Sequence, residues 1–149
     1  MRIDGFPATK KKIFLAASKL FSRKCYADIG IREIATEAEI RVPTIYNYYP
    51  SKEVILEDLF KFYTFRIIQF YDRVKNIDDD QDSIVSFKSM LFAFDKSETD
   101  LMRQLMRIVL NEQFRSSQAA KIVYDISLRK QKQCYFDFVS HLYLTTPIN

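Results

Sequence analysis

The sequence predicts an all-α protein in which a three-helix helix-turn-helix head is joined by a long fourth helix to a short helical C-terminal domain. Three observations lead there. Only two glycines and four prolines occur in 149 residues. Ile, Leu, Phe, Lys and Glu recur without the long alternating run that a half-buried strand shows. Pro7, Pro43 and Pro50 stand beside the expected helices or in a first turn, where proline is tolerated.

Residues 1–8 read as an arm, because Gly5 and Pro7 oppose regular structure. The run TKKKIFLAASKLFSRK then puts Ile13, Ala16, Ala17, Leu20 and Phe21 on one helical face, with Thr9 as the expected cap and an end near Lys24. After CYADIG, the segment IREIATEA turns Ile31, Ile34, Ala35 and Ala38 inward. Glu33 follows Gly30 at the spacing of a capping box, although glycine lacks the side-chain acceptor that completes one. The next unit, IRVPTIYNYY, reads as a helix of about eight to ten residues between Pro43 and Pro50, since Pro suits a first turn and a stop. Two short helices joined by roughly three or four residues are what a helix-turn-helix requires.

Ser51 is expected to cap the long connector, SKEVILEDLFKFYTFRIIQFYDRVKN, which runs to Lys75 with apolar residues on more than one side. The polar stretch NIDDDQDS should end it. A short helix is expected from Ser83 to Phe94, a break at DKSETD, an apolar helix from Leu101 to Phe114, and a final helical stretch from Gln118 to Leu144. This gives a head over residues 1–54 and a second domain over 55–149.

Charge placement narrows the partner. Residues 1–54 carry ten Lys or Arg against six Asp or Glu, whereas the remainder is balanced, thirteen against thirteen. The whole positive excess lies in the head, which suits a polyanion. No stretch is long and apolar enough to span a bilayer, and the N-terminus has no apolar signal core, so the expectation is a cytoplasmic protein without membrane attachment. Cys25 and Cys134 lack the spacing of a metal site and are expected to be buried or half-buried thiols. Asp78 to Asp80 with Asp82 lack the glycine and closing glutamate of a calcium loop. His141 is the single histidine, with no nucleophile or acid at a meaningful spacing, and no enzyme, metal or cofactor is expected.

A recognition helix enters the major groove by its N-terminal part. In the unit beginning at Arg41, the residues placed to read bases are Arg41, Val42, Thr44 and Asn47: arginine bridges two acceptors on guanine, valine packs on a thymine methyl, asparagine pairs with adenine. Arg41 could instead touch phosphate alone. Thr44, Tyr46, Tyr48 and Lys52 offer hydroxyls and an ammonium for phosphates. Tyr46 has a core position as its alternative, and Lys52 plain solvation.

From Lys11 to Leu59 the chain resembles the DNA-binding domain of the TetR family of bacterial regulators, through KLFSRKCYADIGIREIATEAEIRVPTIYNYYPSKEVILEDLF. The helix ending in LF, the aromatic, the IA pair, the TxYxxY helix and the closing SKE keep the family's spacing without a gap. The resemblance implies a dimer on a palindromic double-stranded operator, with Arg32 added to the base-reading group. It also implies repression released by a small effector, the dimer resting on C-terminal helices. The alternative is a protein-interaction module that kept the head and lost productive operator binding. Several residues depart from the family pattern. Cys25 and Glu39 replace glycines, Ile29 and Gly30 replace a threonine pair, and Arg41 stands where a small capping residue is common. Loss of a hydroxyl cap costs about 1 kcal/mol. Glu39 implies either a strained residue or a turn relaxed into ordinary dihedrals.

Aromatics are abundant beyond Ile55, and core or interface packing accounts for most of them. For the pocket that the resemblance implies, with an apolar or aromatic effector, the expected wall is Phe62, Phe65, Phe87, Met90, Met106 and Tyr124. The segment after the connector is shorter than the family generally supplies. A dimer would therefore rest on the helix at 101–114 and the final one, which carries Ile122, Ile126, Phe136 and Leu144.

Overall fold

The computed structural model describes residues 3–75 and 96–125, and among these every regular element is helical. In chain order they are α1 (Ala8–Phe21), α2 (Ile31–Glu37), α3 (Val42–Tyr46), α4 (Lys52–Lys75), α5 (Lys96–Glu112) and α6 (Ser117–Ile122). Two 3-10 turns, Ile3–Gly5 and Tyr26–Asp28, precede α1 and α2. The expected helix from Ser83 to Phe94, the polar stretch before it, Cys134, His141 and the final helical stretch beyond 125 lie outside the described residues.

The N-terminal segment is folded down on the head, which corrects the expectation of an arm. Asp4 pairs with Lys11 at 2.8 Å. Phe6 meets Phe14 edge-on, with ring centroids 5.3 Å apart. The helix then starts at Ala8 with Pro7 in the capping position, and no side chain caps it. Thr9 is therefore within the first turn, not a cap: the fixed φ of Pro7 supplies the extended residue that enters the helix, and its carbonyl accepts from Lys11 N at 2.9 Å. Ile13, Ala16, Ala17, Leu20 and Phe21 are all buried as the spacing predicts, and Phe14 joins them. Ser18, also buried, donates to Leu15 O at 2.9 Å and lies 3.0 Å from Gln104 Oε1, so its hydroxyl is satisfied within the core.

α2 ends in a Schellman arrangement. Ile40 N donates to Ala35 O and Glu39 N to Thr36 O, at 3.0 and 3.1 Å. Ile40 packs back on the core, as the following residue does in such ends. The arrangement needs a left-handed residue, and Glu39 takes it with φ 55°, so the strained option is the one realised. Replacing Glu39 by glycine is expected to stabilise the protein by about 0.5–1 kcal/mol, because relief of the left-handed strain outweighs the extra freedom glycine has when unfolded. Urea unfolding of the two proteins reads the difference; a destabilised variant would contradict it.

α3 is shorter than expected, at five residues. Asn47 closes it, and the amides of Tyr48 and Tyr49 both donate to Ile45 O at 2.9 Å. Pro50 disfavours a helical Tyr49, and Tyr49 is turned into the core, 2% exposed. Its hydroxyl donates to Asp58 Oδ2 at 2.8 Å, and Lys10 closes the triad with a 2.9 Å ion pair to the same oxygen. Burial, then the bond to Asp58, pushes the Tyr49 hydroxyl far above the ordinary phenol range.

Phe14 is shared between elements, its ring 5.2 Å from Phe62 of α4. α5 begins at Lys96, so the segment expected to be a break is helical from Lys96 onward. Leu101, Met102, Leu105, Ile108 and Val109 bury one face of α5, which packs on α1 and α4. Among the described residues one buried cluster includes side chains of α1 to α6, from Ile13 to Ile122. Ser116 caps α6 by accepting from Ala119 N at 3.3 Å.

Candidate nucleic-acid interface

α2, the Glu39 turn and α3 together form the helix-turn-helix, and the ion pairs Lys19–Glu37 and Lys24–Glu33 join α2 to α1 and to the residues just after it. Those pairs matter for function because they offset the charge of cations that stay at the surface. Lys10, Lys11, Lys19 and Lys24 are all engaged with carboxylates. Arg32 and Arg41 are exposed, and among the described residues neither guanidinium makes a hydrogen bond or ion pair. One is on α2, the other in the capping position of α3.

Arg41 has extended backbone, φ −84° and ψ 147°, and its carbonyl accepts Thr44 N at 2.9 Å. The turn that strains Glu39 thus delivers an arginine to the mouth of the next helix. Val42 and Thr44 are half-buried on α3, and Asn47 is exposed at its end. Tyr46 is 52% exposed and Tyr48 38%. Of the two positions weighed for Tyr46, the ring takes the exposed one, and the core place belongs to Tyr49, which sequence reasoning missed.

Lys52 is placed differently from its neighbours in the expected phosphate group. Its ammonium donates to the carbonyls of Tyr26 and Ile29, each at 2.9 Å, and lies 4.1 Å from the centroid of the Tyr26 ring. It holds the turn that leads into α2. Tyr26 is fixed further by an edge contact with Phe21 and by donating its hydroxyl to Glu53 Oε1 at 3.0 Å. Burial and that bond raise the Tyr26 hydroxyl well above the ordinary phenol range. Bonds from the Ser51 side chain, its own backbone amide and Tyr26 hold the Glu53 carboxyl below the ordinary range.

Of the six residues expected to wall an effector pocket, four lie among the described residues. Phe62 is core, packed with Phe6 and Phe14. Phe65, Met106 and Tyr124 are exposed, at 37%, 45% and 61%. Phe87 and Met90 lie outside the described residues. A cleft of about 320 Å³ opens elsewhere, between the Tyr26 turn, the start of α4 and the α5–α6 junction, and contains none of the six. Cys25, half-buried with a free thiol, lies beside it, 2.6 Å from a guanidinium nitrogen of Arg115. Among the described residues no group of His, Cys, Asp and Glu is arranged to hold a metal, and no helix is long and apolar enough to cross a membrane.

Residues 13–59 match the family described as bacterial regulatory proteins, tetR family. The chain is 35% identical over 74 residues to the uncharacterized HTH-type transcriptional regulator YuxN of Bacillus subtilis (strain 168), a stretch that is 50% of this chain and 24% of that protein. The match thus spans about a quarter of the relative's length. A solved structure of a TetR family protein from Vibrio parahaemolyticus aligns with 95% of this chain and 90% of its own, at 15% identity and a TM-score of 0.46.

Proposed function

The chain belongs to the tetR family of bacterial regulatory proteins, and on that premise we propose that it is a cytoplasmic, dimeric transcriptional repressor that binds a palindromic operator and is released by a small effector. The observation that carries the DNA-binding part is the pair of exposed, unengaged guanidiniums, Arg32 on α2 and Arg41 at the start of α3, in a head whose lysines are largely tied to carboxylates. In this reading residues 1–54 meet DNA, and residues 55–149 provide the subunit contact and the effector site.

Arg41, with Arg32, Val42, Thr44 and Asn47 beside it, reads base edges in the major groove. Tyr46 and Tyr48 present hydroxyls to the flanking phosphates, with Thr44. Lys52 contributes by fixing the approach to α2 and not by direct contact, since two of its three donors face carbonyls of its own chain.

The test is a fluorescence anisotropy titration of the chain on its own upstream duplex and on a scrambled one, at two salt concentrations, with the mass in solution measured alongside. Tight, salt-sensitive binding of a dimer to the native duplex supports the reading; equal weak binding to both, or a monomer, sinks it and favours a protein partner. Arg41→Ala is expected to cost about 1–3 kcal/mol and to relax preference at one base pair. A uniform loss over all sequences would reduce Arg41 to a phosphate contact.

A further inference from the structure

The cleft beside Tyr26 has a chemistry that the DNA-binding reading does not use. Its floor is apolar, made by the buried side chains of Leu56 and Phe60 with the ring of Tyr26. Three carboxylates line it: Glu53 and Glu57 from exposed positions on α4, and Glu112 from the end of α5. Glu112 is only 5% exposed. Among the described residues its carboxylate accepts no hydrogen bond and forms no ion pair within 4.0 Å, although its charge is felt by Tyr26 and Arg115.

Among the described residues no buried side-chain oxygen lacks a partner, so the unpaired carboxylate of Glu112 opens into the cleft, and an acid set beside a largely apolar floor favours a cation that reaches it. Arg115, the cation that lines the cleft, does not serve: it is exposed, and its guanidinium is drawn to Cys25 Sγ at 2.6 Å. Glu57 lies 3.7 Å from Lys61, an exposed pair of little strength, and Glu53 takes the Tyr26 hydroxyl. An apolar floor with an unneutralised acid at its inner end matches a ligand with an aromatic or aliphatic body and one ammonium group.

We propose that this cleft is a binding site for a small organic ammonium ion, whose charged end meets Glu112 and whose apolar body lies against Leu56, Phe60 and Tyr26. The site differs in place and in chemistry from the aromatic wall expected at Phe62 and Met106. It joins the turn before α2, the start of α4 and the α5–α6 junction, so its occupant contacts the head and the C-terminal helices at once.

Calorimetric titration of the full chain, without DNA, with phenethylammonium chloride and with 2-phenylethanol as its neutral counterpart tests the proposal and leaves the DNA-binding reading aside. The ammonium is expected to bind with one-to-one stoichiometry, about tenfold or more tighter than the alcohol. Glu112→Gln should weaken the ammonium by about tenfold and leave the alcohol unchanged. Gln118→Lys changes an exposed residue at the cleft and so tests the same point if the buried variant does not fold: its added cation should weaken the ammonium alone. No binding of the ammonium at millimolar concentration, equal affinity for the two probes, or wild-type affinity in either folded variant overturns the proposal.

Discussion

Replacing Phe14 by alanine is expected to destabilise the protein by about 3–5 kcal/mol, a large part of the roughly 5–15 kcal/mol that holds a typical domain folded. The ring is fully buried and is the middle member of three, 5.3 Å from Phe6 and 5.2 Å from Phe62. Those partners come from the N-terminal segment and from α4. The lost contacts therefore loosen both the folded-down N-terminus and the docking of α1 on the connector. Edge-on ring pairs add about 0.5–1.5 kcal/mol each beyond burial, and no smaller side chain restores them. Urea unfolding followed by far-ultraviolet circular dichroism measures the loss, with Leu15→Ala, at an exposed position next in sequence, as the control. The control should move stability by no more than about 0.5 kcal/mol. Equal midpoints for the two variants would show that the aromatic trio is not the support described.

The contrast between Phe14 and its neighbours shows what a sequence makes legible. Ile13, Ala16, Ala17, Leu20 and Phe21 were accessible to reasoning because burial of a helix face repeats every three or four residues. Phe14 widens that face, and the reason is a ring delivered by α4, far along the chain. The same division holds in the turn. The family pattern puts a glycine at residue 39 and leaves two options for the glutamate there, a strained residue or a relaxed turn; the structure decides for strain, at φ 55°.

Position on a helix was easier to foresee than the direction of a side chain. Arg41 was placed at the start of α3 by Pro43 and the apolar spacing, and it is there, exposed. Tyr46 and Tyr49 are three residues apart and chemically identical, so composition could not assign one to solvent and the other to Asp58; the early end of α3 at Tyr46, with Pro50 disfavouring a helical Tyr49, does so. The cleft was illegible for a further reason. Tyr26, Leu56 and Glu112 come from three separate segments, each unremarkable alone, and only packing brings them together. The wall named from the family resemblance includes Phe62, whose ring packs in the core with Phe6 and Phe14, as aromatic rings readily do.

Lys52→Ala should separate a positioning role from a contact with DNA. The ammonium satisfies the carbonyls of Tyr26 and Ile29 and stacks over the Tyr26 ring, so its removal leaves part-buried acceptors without their charged donor. Hydrogen bonds to charged groups contribute about 1.5–3 kcal/mol, and a loss of that order is expected in urea unfolding. Because the turn it holds leads straight into α2, operator affinity should also fall, on every sequence alike. Salt dependence distinguishes the cause. A lysine that neutralises a phosphate contributes about 0.9 to the slope of log affinity against log salt, whereas one bound to its own backbone contributes nothing. The expected result is a weaker, less stable protein with the wild-type slope. A slope reduced by about 0.9, with stability unchanged, would return Lys52 to the phosphate group and leave the Tyr26 turn to be held by Phe21 and Glu53.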